Sequence, residues 1–102
     1  MIGRKKKKIT SSSEELVDEK GRPIMRLKVY SPFKSYFDAM AYSISASNHT
    51  GPFDILPRHH NFMTLIKAGE LKITAPNGDQ VIPINQGLMH VKADEIVVFL
   101  DI

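Results

Sequence analysis

The sequence predicts an all-β protein, an antiparallel β-sandwich or flattened barrel of about eight to ten short strands. Two observations predict it. Apolar and polar residues alternate with period two in several segments beyond residue 24, and turn-forming residues recur roughly every ten residues between them. The chain has 102 residues, enough for one domain with one hydrophobic core.

Alternation defines the first two predicted strands. Met25, Leu27 and Val29 alternate with polar neighbours, as in a strand with one buried face. After a break at Ser31-Pro32, residues 40–47 form a second alternating run. The apolar side of this run consists of Met40, Tyr42, Ile44 and Ala46.

The second half of the chain predicts further strands over residues 62–66, 71–75, 80–84, 89–91 and 96–100. Asn77-Gly78 lies between two alternating runs and predicts a hairpin with a type I′ turn, in which both central residues have positive φ. The last strand is an unbroken apolar run, so we expect it to be buried on both faces.

Residues 50–62 are not ordinary strand sequence. Pro52 and Pro57 each lack the N–H that a central strand must donate, so this segment is predicted to be an edge strand or a loop. It nevertheless carries several apolar side chains together with an arginine and two histidines. A restricted loop of this composition is typical of a docking surface, and apolar groups that only plug one end of the sandwich are an equally compatible interpretation.

The charge is unevenly distributed along the chain. Residues 1–24 hold seven cationic and four acidic side chains and are predicted to form a flexible basic extension, with a spacing that allows a short helix over residues 13–20 capped by Ser12. Residues 25–102 hold seven of each sign and are predicted to be the folded domain. The lysine run at 5–8 suits nucleic acid or an anionic membrane surface, although a solvated tail is the simpler interpretation.

No motif in the sequence predicts catalysis. The chain has no cysteine, no Gly-x-Ser-x-Gly motif and no glycine-rich phosphate loop, so we expect no enzyme activity, no cofactor and no small-molecule substrate. No apolar run reaches the ~20 residues needed to cross a bilayer. Of the four histidines, His59 and His60 are adjacent and would point to opposite faces of an extended chain, so we predict no metal site. One of the pair is expected to hydrogen-bond inward and hold the proline loop, and the other to be exposed.

Several motifs carry a family likeness. Residues 51–60, residues 65–69, and residues 87–91 with 97–100 resemble, in this order, motifs of the epsilon subunit of F-type ATP synthases. The resemblance covers residues 25–102 and implies the amino-terminal β-sandwich domain of that subunit. Three departures stand out: Pro52 replaces a common acidic residue, Arg58 replaces a common glycine, and the sequence stops at Ile102, before the two carboxy-terminal helices that sense ATP in the family.

The resemblance implies a non-catalytic subunit of the central stalk that couples ion flow to ATP synthesis. Its expected partners are the gamma subunit and the membrane ring of c-type subunits, at the cytoplasmic face of a bacterial inner membrane. In the family the loop before the proline approaches the ring, and the histidine after it lies at the stalk interface. The residues expected at these interfaces are Thr50, Gly51, Pro52, Phe53, Leu56, Pro57, Arg58 and His59.

Two other functions remain open from the residues alone. A small nucleic-acid-binding β-barrel could use the lysine-rich tail, although the neutral body and the shortage of aromatic residues weigh against it. A histidine metalloenzyme would require bound metal. For the stalk function, Phe53→Ala is expected to weaken docking by about 2 kcal/mol without unfolding the domain.

Overall fold

A computed structural model describes residues 16–100, and all structural statements below refer to that range. The described chain contains nine strands and confirms the predicted all-β sandwich. The strands are β1 (Met25–Tyr30), β2 (Ser35–Ala41), β3 (Ser43–Asn48), β4 (Gly51–Ile55), β5 (Phe62–Ile66), β6 (Gly69–Thr74), β7 (Gln80–Ile84), β8 (Gly87–Lys92) and β9 (Glu95–Leu100).

The strands form two sheets. The five-stranded sheet has the order β2-β1-β9-β8-β5, and the four-stranded sheet has the order β4-β3-β6-β7. Neighbouring strands are antiparallel except for β1 and β9, which pair in parallel with Arg26 opposite Glu95. The first and last strands therefore lie side by side within the five-stranded sheet.

The core lies between the inner faces of the two sheets. Alternation in β1 places Met25, Leu27 and Val29 inward, as predicted, and all three are buried. Burial of each large aliphatic side chain contributes roughly 1.5–3 kcal/mol, so the paired inner faces are the main source of stability. Other side chains buried there are Ile44, Ile55, Ile66, Leu71, Ile73, Met89, Val91, Ile96, Val98 and Leu100.

The strands run between two ends of the sandwich. We call end A the end formed by residues 16–24, Tyr42, the loop 56–61 and the connections 75–79 and 93–94. We call end B the end formed by the turns 31–34, 49–50, 67–68 and 85–86.

The predicted second strand, residues 40–47, is in fact the end of β2 and most of β3, which belong to different sheets. Ala41 is buried in β2, whereas Ile44 and Ala46 are buried in β3, so the inward side changes from odd to even positions at Tyr42. At this corner the Tyr42 N–H donates to the carbonyl of Thr74 at 2.7 Å. The prediction was wrong because a chain that changes sheets changes the phase of its alternation.

Two predictions in the second half were also wrong. Strand β9 is not buried on both faces: Ile96, Val98 and Leu100 point inward, whereas Val97 is only half-buried and Phe99 is 38% exposed. The β6–β7 connection is not a type I′ turn. The Gly78 N–H donates to the Ala75 carbonyl at 3.0 Å, and the positive φ falls on Gly78 and not on the residue before it.

Residues 16–24 do not form the predicted helix in the part of it that is described. Val17 pairs with Pro23 across a turn, and the Asp18 carboxylate accepts hydrogen bonds from the N–H groups of Lys20 and Arg22 at 2.9 and 2.8 Å. We call this segment the N-terminal clip. The lysine run and the start of the predicted helix lie outside the described residues, and the domain boundary at residue 24 stays a prediction.

Gly87 is a sensitive position of the five-stranded sheet. A Cβ added there would lie 2.9 Å from the backbone oxygen of Phe99 and 3.1 Å from Leu100 Cδ2. Gly87→Ala is therefore expected to lower the free energy of unfolding by about 1–3 kcal/mol, measured by urea denaturation. Val81→Ala, at an exposed strand position, serves as the control. Equal midpoints for the two variants would contradict the predicted steric conflict.

Candidate docking surfaces

Residues 50–62, predicted to be an edge strand or a loop, contain one of each. Residues Gly51–Ile55 form β4, which lies at the edge of the four-stranded sheet, and residues 56–61 form a loop at end A. Pro52 lies on β4 opposite Ser47. Its missing N–H is tolerated because an edge strand has only one neighbour.

The eight residues expected at an interface do not form one patch. Thr50 lies in the turn at end B, where its N–H and hydroxyl donate to Asn48 Oδ1 at 2.9 and 2.6 Å. Gly51 follows with a φ of 121°, a conformation that favours glycine. Leu56, Pro57, Arg58 and His59 lie at end A, and β4 separates the two groups. One strand of five residues spans about 17 Å, so the two groups lie too far apart to form one small patch.

The structure separates the apolar residues of this segment into two kinds. Ile55 is fully buried, and the half-buried Phe53 packs against the core with its ring centroid 6.2 Å from that of Phe62. These two side chains plug the sandwich, whereas Leu56 is exposed. We therefore expect Phe53→Ala to cost folding stability, in contrast to the expectation from sequence that it would affect docking alone.

The loop at end A is held in place by hydrogen bonds to the β8–β9 turn. The Arg58 N–H donates to Asp94 Oδ1 at 2.9 Å, and the Ala93 N–H donates to Asn61 Oδ1 at 2.8 Å. Arg58 has a φ of 66°, in the left-handed region that glycine adopts most easily. The loop is thus held at two points, Arg58 and Asn61, by the β8–β9 turn.

The predicted orientation of the histidine pair was wrong. The rings of His59 and His60 stack with centroids 4.2 Å apart and an interplanar angle of 28°, so they lie on the same side of the loop. His59 Nδ1 donates to the backbone carbonyl of His60 at 2.8 Å, and its ring lies 5.2 Å from that of Phe62. Within residues 16–100, no group of three or more histidine, aspartate or glutamate side chains is placed to hold a metal ion.

The N-terminal clip borders the same loop. The Tyr42 hydroxyl donates to Asp18 Oδ2 at 2.5 Å, and the Arg22 guanidinium carbon lies 3.6 Å from the centroid of the Tyr42 ring. The hydrogen bond from Tyr42 lowers the pKa of Asp18, and the same bond raises the pKa of Tyr42. A groove of about 420 Å³ lies between the clip and the loop, lined by Arg22, Pro23, Tyr42, Leu56, Pro57 and Arg58.

The sequence did not reveal an apolar row on the outer face of the five-stranded sheet. Leu65, Leu88, Phe99 and Tyr30 lie opposite one another on four adjacent strands. Leu65 is 71% exposed, and Leu88 and Phe99 are each 38% exposed. The rings of Tyr30 and Phe99 meet edge to face at 5.2 Å, and a shallow groove of about 250 Å³ runs between Leu65 and Phe99.

The outer face of the four-stranded sheet is polar by comparison. Ser43, Ser45 and Ser47 point outward from β3, and the Ser45 hydroxyl donates to Asp54 on β4 at 2.5 Å. A face that carries hydroxyl groups can hydrogen-bond to water, whereas a contiguous exposed apolar row is typical of an interaction surface. The apolar row is therefore the stronger docking candidate of the two faces.

Comparison with known proteins identifies the family. Residues 24–102 match the pattern of the family described as ATP synthase, Delta/Epsilon chain, beta-sandwich domain. The chain belongs to this family. The resemblance to ATP synthase epsilon subunits that the sequence motifs indicated is thereby confirmed.

Relatives of this chain include ATP synthase epsilon chains from bacteria. The chain is 32% identical over 77 residues to the ATP synthase epsilon chain of Parasynechococcus marenigrum, a match that covers 76% of the chain and 57% of the relative. It is 27% identical over 81 residues to that of Neisseria meningitidis serogroup C, covering 78% of the chain and 58% of the relative. The chain thus spans little more than half the length of these relatives.

Two solved structures share the fold. One is the mitochondrial ATP synthase of Euglena gracilis, OSCP/F1/c-ring, with a TM-score of 0.70 and 15% identity, where the match covers 89% of this chain and 59% of that chain. The other is the central stalk/c-ring of the Tetrahymena thermophila mitochondrial ATP synthase, with a TM-score of 0.60 and 20% identity, covering 74% and 62%. No helix long and apolar enough to cross a membrane occurs in the described part of the chain.

The Asp18–Tyr42 hydrogen bond predicts how the N-terminal clip depends on pH. Because the pKa of Asp18 is lowered by folding, its contribution is complete above the ordinary aspartate value of about 3.9 and is lost as pH falls through the lowered pKa. Because the pKa of Tyr42 is raised, its contribution is complete below about 10 and is lost as pH rises through the raised pKa.

An NMR titration of the Tyr42 ring checks both transitions. Asp18→Asn should remove the acid transition and bring the pKa of Tyr42 back towards its ordinary value, since the carboxylate is the main cause of the shift. Tyr36→Phe is the control. Tyr36 lies near the end B end of β2, whereas Asp18 bonds to Tyr42 at end A, so this variant should keep both transitions. An unchanged Tyr42 titration in Asp18→Asn would show that the clip does not hold in solution.

Proposed function

We propose that this chain is a non-catalytic rotor subunit of an F-type ATP synthase that docks on the gamma subunit and on the c-type ring and so couples ion flow to ATP synthesis. Membership of the delta/epsilon family supports this function. The two structural relatives are components of complexes that include the F1 part, the central stalk and the c-ring. In this function the chain works as part of a membrane-associated complex, at the cytoplasmic face of the cell membrane in a bacterium.

The observation that carries the proposal is the apolar row. Its four side chains come from β5, β8, β9 and β1, so the row crosses most of the five-stranded sheet. Met63 lies two residues before Leu65 on the same outer face of β5, and it extends the exposed apolar area. Covering such a row removes apolar surface from water, which supplies the binding energy for a stable contact with gamma.

The ring contact belongs to a different part of the domain. Thr50, Gly51 and Pro52 lie at or next to end B, where a partner can approach the turn along the strand direction. Leu56, Pro57, Arg58 and His59 lie at end A, beyond the reach of a partner that touches only end B. We therefore assign the β3–β4 turn at residues 49–50 of end B to the ring, and the apolar row together with the end A loop to gamma.

Replacing an exposed apolar side chain in the row tests the gamma contact. Leu65→Ser is expected to weaken binding to the gamma subunit of the same organism by about 30-fold, because Leu65 is the most exposed side chain of the row and an apolar anchor buried in an interface contributes about 2 kcal/mol. Isothermal titration calorimetry with the full chain measures the affinity.

Val81→Ser is the matched control, because Val81 is 55% exposed on β7 of the opposite sheet. Leu56→Ser reports separately on the end A loop. If Leu65→Ser and Val81→Ser bind gamma as well as the parent chain, the row is not the docking surface. If the parent chain does not bind gamma at all while its circular dichroism shows a folded sheet, the stalk function itself is refuted.

A further inference from the structure

The folded domain is neutral as a whole but not face by face. Residues 25–102 hold seven cationic and seven acidic side chains. The outward strand positions of the five-stranded sheet carry more cations than acids: Arg26, Lys28 and Lys92 against Asp38 and Glu95. Those of the four-stranded sheet carry more acids than cations: Asp54 and Glu70 against Lys72. The face that bears the apolar row is therefore also the more cationic face.

Charges on this face are also ordered along the strand direction. Glu95 lies between Lys92 and Arg26 in the strand register, and Asp38 lies opposite Lys28, so the acidic residues of the face have cationic neighbours. Both carboxylates lie on the end A side of the apolar row. The row itself contains no charged residue.

Among the described residues, the end B margin of the row is cationic. Lys34 and Lys67 lie in the turns at end B, and the described end B turns, 31–34, 49–50, 67–68 and 85–86, contain no carboxylate. The nearest acidic residue along the chain after Lys67 is Glu70, which points outward from the opposite sheet. The two lysines lie near opposite edges of the five-stranded sheet, about 19 Å apart at ~4.8 Å per strand.

Backbone hydrogen bonds hold both turns. The Ser31 N–H donates to the Lys34 carbonyl at 2.8 Å, and this turn displays Phe33, which is 86% exposed. The Lys67 N–H donates to the Ser47 carbonyl at 2.8 Å. Lys67 lines a groove of about 380 Å³ with His49 and Gln86, and this groove shares Leu65 with the groove beside the apolar row.

We propose that the surface covering the apolar row is an acidic protein face, in which apolar side chains enter the row and carboxylates along its end B margin contact Lys34 and Lys67. This inference rests on the proposed docking function and specifies the chemistry of the partner. Charge complementarity favours one orientation, because the described end B turns carry two lysines and no carboxylate, whereas the end A side of the row also carries Glu95 and Asp38 beside its cations. A protein fits better than a lipid surface, because Leu88 and Phe99 are only partly exposed, at 38% each, and are contacted best by individual side chains.

Charge reversal tests the margin. Lys34→Glu and Lys67→Glu are each expected to weaken binding to the gamma subunit about fivefold or more at low salt, and to make the affinity of the complex less dependent on salt. Lys72→Glu is the matched control, since it places the same charge change on the outer face of the four-stranded sheet. Equal affinities for all three variants and the parent would overturn the inference and leave the docking function in place.

A synthetic probe decides the inference even if gamma does not bind. Two 14-residue amphipathic peptides with the same leucine and phenylalanine positions are compared by NMR shift mapping on the full chain, one with aspartate and glutamate on its polar side and the other with lysine. The acidic peptide should bind at the apolar row at least about fivefold more tightly, and Lys34→Glu with Lys67→Glu should abolish that preference. Equal binding of the two peptides, or binding only to vesicles with 30% phosphatidylserine, would overturn the proposal.

Discussion

The parallel pairing of β1 with β9 is the interaction on which the rest of the sandwich depends. β1 connects β2 to the sheet, and β9 connects β8 and β5, so without this pair the five-stranded sheet would separate into two parts. The pair joins residues as distant as Arg26 and Glu95. Bringing them together costs loop-closure entropy before any contact forms, which makes folding of the domain cooperative. The apolar row crosses this junction from Phe99 to Tyr30, so it exists only in the closed sheet.

An exposed apolar row on a β-sheet carries a risk of self-association, and the edges of the sandwich limit that risk. Pro52 lies on the edge strand β4 and Pro83 on the edge strand β7, and neither can donate a backbone hydrogen bond to an added strand. The edge strand β5 is tied to β3 by the bond from Asn48 Nδ2 to Thr64 Oγ1 at 3.1 Å. A partner therefore meets the face of the five-stranded sheet more readily than these three edges. In the proposed stalk function, the protected edges restrict docking to side-chain contacts that match the face in shape and charge.

Patterns among neighbouring residues in the sequence predicted the features that depend only on neighbouring residues, namely strand positions and one sheet edge. Alternation in β1, β6 and β7 gave the right strands, and the two prolines gave the edge position of β4, because both arguments concern a residue and its immediate neighbours. The pattern failed where tertiary structure intervenes. At Tyr42 the chain passes from one sheet to the other, and in β9 the apolar run serves the core with Ile96, Val98 and Leu100 but a surface with Phe99. His59 stacks on His60 directly after Arg58, whose left-handed backbone conformation no propensity of arginine predicts.

The candidate site was the least predictable part, because tertiary structure decides which of its residues become neighbours. The residues expected at an interface were adjacent in sequence, yet β4 places them at two ends of the molecule. The apolar row has the opposite character: Leu65, Leu88, Phe99 and Tyr30 are distant in sequence and become neighbours only through strand register. Likewise, the equal numbers of acidic and cationic residues concealed two faces of different charge. A docking face on a sheet is created by strand pairing, whereas a docking loop is created by one continuous segment of sequence. The stalk function proposed here requires both kinds of surface. A loop and a turn at the two ends make separate contacts, and the rigid sheet face between them transmits force from one partner to the other.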